Sequence, residues 1–186
     1  MEQVQEKAWI EQTIGGDQEA FGHLVTAYSR PAYFTALGIL GNRDEAYDLS
    51  QEAFVRAYRA LDKFDLSRPF APWFFRILRN CCLTFLSRRK VHASLDELRE
   101  SGVEPVAGDR FDPSLLAERN DDIDRVWRAL GALEDASREI IVLKDLQGHR
   151  YKEIAVILGI PEGTVMSRLY HARQKLKTIL LEERAR

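Results

Sequence analysis

The stretch that most constrains this chain is GIPEGTVMSRLYHARQKL, Gly159 to Leu176. It follows YKEIAVIL, Tyr151 to Leu158, whose Tyr151, Ile154, Ala155 and Leu158 recur at helical spacing. Gly159 can adopt the left-handed conformation that ends a helix. Pro161 suits the first turn of the next one. Ala155 is small enough to let two helices cross closely. Two helices joined by such a turn make a helix-turn-helix.

At about 100° per residue, the second helix sorts its side chains by chemistry. Val165, Leu169, Ala172 and Leu176 share one narrow arc and face a core. Gly163, Ser167, Tyr170, His171 and Gln174 lie opposite, with Arg168 and Lys175 on one flank and Met166, Arg173 and Lys177 on the other. Hydrogen-bonding and planar groups thus occupy the centre, where base edges in a major groove would lie. Cations occupy the margins, where phosphates would lie. The pattern alone also fits an ordinary bundle helix with a charged exterior. His171 and His149 are lone histidines, and neither has neighbours in sequence that complete a metal site.

Helical periodicity covers most of the 186 residues, and no run alternates as a strand would. The expected class is all-α: two small helical domains joined by a flexible linker, the C-terminal one a helix-turn-helix. Residues 17–40 read as two helices interrupted near Arg30-Pro31. Asp44 to Leu61 reads as an amphipathic helix, with Leu49, Ala53 and Ala57 on the apolar stripe and Asp48, Gln51, Glu52 and Arg59 away from it. FDLSRPFAP, Phe64 to Pro72, is a loop, and a helix follows from about Trp73 to Lys90. Residues 92–113 hold Gly, Pro and acids without a sustained period and read as the linker. From 114 onward the expected helices carry Ile123, Val126, Trp127, Leu130 and Leu133, then Ser137 to Leu146, then the helix-turn-helix.

Charge is arranged in blocks. Residues 1–65 carry a net of −5, residues 66–93 a net of +6 with no acid at all, residues 94–136 a net of −7, and residues 137–186 a net of +4. Two basic blocks separated by acidic ones fit two sites for one polyanion, or two solvated surfaces. No apolar run approaches the roughly 18 residues of a membrane span. MEQVQEKAWIEQ is too polar for a secretory signal. The two adjacent cysteines, Cys81 and Cys82, imply no zinc site or disulfide framework and read as reduced packing residues of a cytoplasmic protein.

The first basic block is also the aromatic one. Phe64, Phe70, Trp73, Phe74 and Phe75 crowd a proline-containing loop, interleaved with Arg68, Arg76 and Arg79 and followed by Arg88, Arg89 and Lys90. Rings beside arginines make a platform for unstacked bases. An extruded base also needs a pocket whose polar groups read its edge. Trp73, Phe74, Ile77, Leu78 and Cys81 have helical spacing as well, so some of these residues are core.

ALEDASREIIVLKDLQGHRYKEIAVILGIPEGTVMSRLYHARQKL resembles the C-terminal domain of bacterial RNA polymerase sigma factors of the extracytoplasmic-function group. DEAYDLSQEAFVRAYRAL, Asp44 to Leu61, resembles the helix by which that family grips the clamp coiled coil of the polymerase beta-prime subunit. The resemblance implies three domain-level segments: 1–91, a sigma-2-like domain; 92–113, a linker; and 114–186, a sigma-4-like domain. It implies polymerase contacts at Asp44, Asp48, Leu49, Gln51 and Glu52. It implies recognition of the promoter −10 element, with capture of a flipped base, at Phe64, Asp65, Ser67, Phe70, Trp73, Arg76 and Asn80. For the −35 element it implies Lys144, Met166, Ser167, Arg168, Tyr170, His171 and Arg173, with Lys144 on a backbone phosphate. The implied partners are core RNA polymerase (beta-prime clamp and beta flap), promoter DNA both duplex and melted, and an anti-sigma factor, which would hold the chain near the inner membrane if itself membrane-bound. No cofactor or metal is implied. Two positions depart from the family's habit: Arg150 stands where a short hydroxyl often caps the helix, and Met166 where a cation often stands.

The residues themselves leave a second reading open: a sensing or dimerisation domain joined to a duplex-binding helix-turn-helix, which would bind a palindrome as a dimer. That reading gives the aromatic-basic loop no role. An enzyme is disfavoured, since no Gly-rich phosphate loop, metal cluster or nucleophile-base signature is present in the sequence.

Overall fold

Capping side chains set the first boundaries. The structure, a computed structural model, describes residues 3–97 and 121–184. Helix α1 (Gln3–Ile14) precedes Asp17, whose carboxylate accepts the backbone N–H groups of Glu19 and Ala20 and so starts α2 (Gln18–Leu40). Gly41, at φ 70°, ends α2, and the Asn42 side chain accepts the Glu45 N–H to start α3 (Arg43–Ala60). A 3-10 turn, Leu61–Lys63, leads to the loop before α4 (Phe70–Glu97). Then come α5 (Asp121–Gly131), α6 (Asp135–Ile141) with a π-helical turn at Val142–Leu146, α7 (Tyr151–Leu158) and α8 (Glu162–Arg184). The described residues contain no strand, as the periodicity predicts, and no helix among them is long and apolar enough to cross a membrane.

Four expectations need correction or completion. The segment 17–40 is one helix rather than two, although Pro31 lies inside it. Proline removes one hydrogen bond of the ladder, but Leu24, Ala32, Ala36 and Leu37 are all buried and hold the helix on its neighbours across that gap. Helix α1 had no sequence assignment at all. The helix expected over Ser137 to Leu146 changes character after Ile141, where Gln147 N–H bonds Val142 O at 3.0 Å in the wider π pattern. Helix α4 runs past Lys90 to Glu97, so the first part of the expected linker is helical. The rest of the linker, 98–113, and the expected start of the second domain, 114–120, lie outside the described residues. So do the side chains of Lys90 and Ile123.

One continuous core runs through the described residues, and in the first half it gathers Ile10, Phe21, Leu24, Leu37, Phe54, Phe70, Phe74 and Leu78 from α1 to α4. Cys81 and Cys82 are free and buried there, and burial pushes the Cys82 thiol up to about 12. They pack rather than react. In the second half the same core continues through Leu130, Ile140, Leu143, Ile154, Val165 and Leu169.

The two halves pack on one another. Phe34 stacks on Trp127 with ring centroids 5.7 Å apart, and Phe75 meets His149 edge-on at 4.8 Å. Arg79 and Glu139 pair at 2.6 Å. Burial still raises the Glu139 carboxyl above its ordinary value, against the lowering by Arg79. Gly38 makes the close approach possible, since a Cβ there would lie 2.6 Å from Val142 Cγ2. Arg138, only 5% exposed, reaches from α6 to the carbonyls of Gly38 and Ile39 at the end of α2.

His149 gives this contact a pH dependence. It is buried, its Nε2 has no hydrogen-bond partner among the described residues, and Nδ1 is 3.7 Å from Glu153. Burial lowers its pKa from the ordinary value; Glu153 opposes the shift and Lys144 adds to it. Folding therefore favours the neutral ring. The stability this confers is complete above the unfolded-state pKa of about 6.5 and is lost as the pH falls below it toward the folded value. Denaturation midpoints should drop between about pH 7 and pH 5, and His149→Phe should flatten that drop. An identical pH profile for the variant would exclude His149 as the source.

Candidate nucleic-acid interface

The second half presents one polar helix face. Val165, Leu169 and Ala172 of α8 are at most 2% exposed, and Leu176 is half-buried, as the arc predicts. Met166, Ser167, Arg168, Tyr170, His171, Arg173 and Gln174 are exposed. Tyr170 and His171 sit edge-to-face at 5.4 Å. Arg173 is exposed but not free, since its guanidinium pairs with Asp145. Lys144 is tied inward: its ammonium donates to His149 O at 3.1 Å and lies 5.1 Å from the Tyr151 ring centroid. A phosphate contact there would have to compete with that carbonyl.

The turn between α7 and α8 is built as the sequence suggests. Gly159 has φ 68°, and its N–H and that of Ile160 both return to Ala155 O. Nothing crowds a Cβ at Gly159, so Gly159→Ala should cost only backbone conformation, about 1 kcal/mol in chemical denaturation. A cost near zero would mean the turn relaxes. Within α7, Ile154, Ile157 and Leu158 are buried while Tyr151 and Ala155 are half-buried. Ile157 was not expected to be buried. Helix α7 packs on α4 as well as α8, so it buries more than one stripe. Arg150 does not cap α7 as a hydroxyl would; instead Glu153 accepts the Arg150 N–H at 2.7 Å.

In the first half the loop and α4 divide their aromatics between core and surface. Phe64 and Phe70 are buried, 8% and 1% exposed. They form the floor under Trp73, with ring centroids 4.8 and 5.5 Å from it. Trp73 is half-buried, while Arg76 and Asn80 are exposed on the same side of α4. The loop is ordered by its own polar groups. Asp65 accepts the Ser67 N–H at 3.0 Å and hydroxyl at 2.6 Å, and pairs with Arg68 at 3.1 Å. The Ser67 bonds hold the Asp65 carboxyl below the usual range. Arg79 turns away from this surface to Glu139, and Arg89 pairs with Glu45, which leaves Arg76 and Arg88 as exposed cations of the block with no ion pair among the described residues.

Helix α3 carries the acidic face. Asp44, Asp48 and Gln51 are exposed, and Glu52 pairs with Arg56. Leu49 is buried at 7% and supports that face from behind rather than lying on it. The face also exposes Tyr47 and Val55, at 60% and 48%.

A cavity of about 260 Å³ lies beside the loop, between Ser67 and Arg68 and the α1 residues Glu6, Lys7 and Ile10. Sequence reasoning missed this contribution of α1, because a carboxylate and a lysine in a polar segment give no signal. It also missed Arg138 and Glu139, which read as solvated charges until the opposite half covers them.

Residues 24–91 match the family described as Sigma-70 region 2, and residues 123–176 match Sigma-70, region 4. The chain is 33% identical over 177 residues to the ECF RNA polymerase sigma factor SigW of Bacillus subtilis, covering 92% of this chain and 94% of that one. It is 33% identical over 182 residues to the ECF RNA polymerase sigma-E factor of Escherichia coli, covering 94% of each. Among solved structures, CnrH in complex with the cytosolic domain of CnrY superimposes with a TM-score of 0.70 at 29% identity, covering 95% of this chain and 97% of CnrH. The sigma factor RpoE in complex with the anti-sigma factor NepR, from Bartonella quintana, gives 0.67 at 27%, covering 86% and 96%. With both regions matched in order and a third of residues identical along nearly the whole length, the chain belongs to the extracytoplasmic-function (ECF) group of sigma-70 family sigma factors, which are transcription initiation factors rather than enzymes.

Proposed function

We propose that this sigma factor directs core RNA polymerase through three separate surfaces. The acidic face of α3, with Asp44, Asp48, Gln51 and Glu52, docks on the beta-prime clamp, and Leu49 stiffens it from behind. The loop and α4, with Asp65, Ser67, Trp73, Arg76 and Asn80, take the −10 element and its displaced strand. The outer face of α8, with Met166, Ser167, Arg168, Tyr170, His171 and Arg173, reads the −35 element in duplex form. The domain division is 1–91 and 114–186 with a linker at 92–113, and the C-terminal domain also meets the beta flap. The chain adds readout and strand binding; the polymerase supplies the chemistry.

The observation that carries this reading is the pairing of two unlike surfaces in one chain. One is a helix-turn-helix whose polar face is exposed opposite Val165, Leu169 and Ala172. The other is an aromatic loop leading into a helix that has no acid between Leu66 and Ala93. A duplex-only regulator needs the first and not the second. An anti-sigma protein is proposed as the regulator, by analogy with the RpoE–NepR complex. The cytoplasm is the proposed site of action, near the membrane where that regulator is membrane-bound.

Run-off transcription tests the reading. The purified chain is mixed with sigma-free bacterial core polymerase and a library of promoter fragments. Initiation at discrete start sites, absent without the chain, is the expected result. No initiation and no co-migration with core polymerase, together with tight binding to duplex DNA alone, would favour the duplex-binding regulator.

A further inference from the structure

A buried carboxylate ties the loop to a helix that lies outside both matched regions. Glu6 belongs to α1, upstream of residue 24, where the region 2 match begins. It is 9% exposed. Its Oε2 accepts the Tyr28 hydroxyl at 2.6 Å, and its Oε1 accepts the backbone N–H of Phe70 at 3.2 Å.

Both bonds bear on the loop. Phe70 opens α4, and its N–H is one of those a helix cannot satisfy internally. A carboxylate there also meets the positive end of the helix dipole. Tyr28 rests on Phe70, Phe74 and Phe75, with ring centroids 5.5, 5.9 and 6.1 Å away. Burial and the Glu6 bond push its phenol well above the ordinary value, so it stays a donor. One side chain thus fixes the end of the loop and the aromatic floor beneath it.

Helix α1 is thereby the second wall of the cavity. Ser67 and Arg68 line one side, and Lys7 and Ile10 the other. The Lys7 side chain is 54% exposed, and its carboxylate neighbour Glu11 is 3.8 Å away, a weak surface pair. An apolar wall, the Lys7 ammonium and the loop's Asp65–Ser67–Arg68 cluster suit an unstacked nucleotide: a base to cover, an edge to read and a phosphate to neutralise.

We propose that Glu6 is a positioning residue for the loop's reading of one unpaired base, and that Lys7 neutralises the phosphate of that nucleotide. This rests on the strand-facing role given to the loop. A Glu6 that served only to hold the fold would change stability without changing which base is preferred.

The test uses the full chain bound to core polymerase. Single-stranded oligonucleotides carry the non-template −10 segment of a promoter found by run-off transcription, with each base varied in turn, and compete for binding. Glu6→Ala should lower the base preference at one position at least threefold and leave −35 duplex binding within twofold. Glu6→Gln, which keeps an acceptor for the Phe70 N–H, should keep most of the preference. Tyr28→Phe removes one bond, keeps the ring packing, and should lower the same preference by a smaller factor. Lys7→Ala changes an exposed residue, and should weaken all sequences alike and reduce the salt slope by about 0.7. Undiminished preference in Glu6→Ala would overturn the proposal. If Glu6→Ala does not fold, undiminished preference in Tyr28→Phe or an unchanged salt slope in Lys7→Ala would overturn it. A wild-type chain without preference at any position would overturn the strand-facing role, and the proposal with it.

Discussion

Replacing Arg138 with methionine should separate the two halves of the molecule, because it leaves backbone carbonyls at two helix ends without a donor, at about 1–3 kcal/mol for each one that stays buried. Arg138 is 5% exposed, and its guanidinium serves two helix ends at once. It donates to Gly38 O and Ile39 O, carbonyls in the last turn of α2. It also donates to Gly131 O and Leu133 O, at the end of α5 and just beyond, and to Asp135 at 2.7 Å. The last four carbonyls of any helix lack internal partners, and a cation beside them is favourable. Leu37 O already takes the Gly41 N–H, so Arg138 supplies donors for the next two carbonyls of α2. Methionine fills similar space but donates nothing. The expected results are a larger radius of gyration by small-angle scattering and separation of a single denaturation transition into two. Arg138→Lys should recover little, because an ammonium cannot span carbonyls on two helices as the planar fork does. A methionine variant as compact and as stable as the parent would show that Arg138 does not hold the halves together.

How much of this was legible in the sequence depended on where each constraint came from. The polar face of α8 was legible because one local period decides it: Val165, Leu169 and Ala172 must face inward, and the rest follows. Gly159 and Pro161 fixed the turn for equally local reasons. The aromatic block was legible as a cluster but not in its division, since helical spacing does not say which of Phe64, Phe70 and Trp73 a neighbouring helix will cover. Helix α1 supplies part of that cover, and its polar sequence gave no reason to expect it. Arg79, Arg138 and Glu139 carry the same lesson for charge. Each looks like a solvated group, and each is withdrawn from solvent by a partner at least 60 residues away in sequence. Pro31 misled because its local effect is real, but the packing of Leu24, Ala32 and Ala36 on either side outweighs it.

Trp73→Ala should reduce open-complex formation about ten- to a hundredfold while changing core-polymerase binding less than twofold. Stacking of one base on an aromatic ring is worth about 1–3 kcal/mol, which sets the size of the first effect. The second follows from position. Trp73 lies on the side of α4 that also exposes Arg76 and Asn80, whereas the acidic residues proposed to meet polymerase are on α3. Phe64 and Phe70 support its ring from below, at 4.8 and 5.5 Å, so the indole is held in place before any strand arrives. That preorganisation makes stacking effective, because little side-chain entropy remains to be lost on binding. Trp73→Phe keeps a smaller ring on the same floor and should retain much of the activity. Phe74→Ala is the contrasting control: Phe74 is 0% exposed and stacks on Phe54 at 4.6 Å, so its loss should lower stability and both functions together. If Trp73→Ala behaves like Phe74→Ala, with equal losses in polymerase binding and strand opening, then Trp73 is a core residue whose exposed edge has no role in the promoter complex.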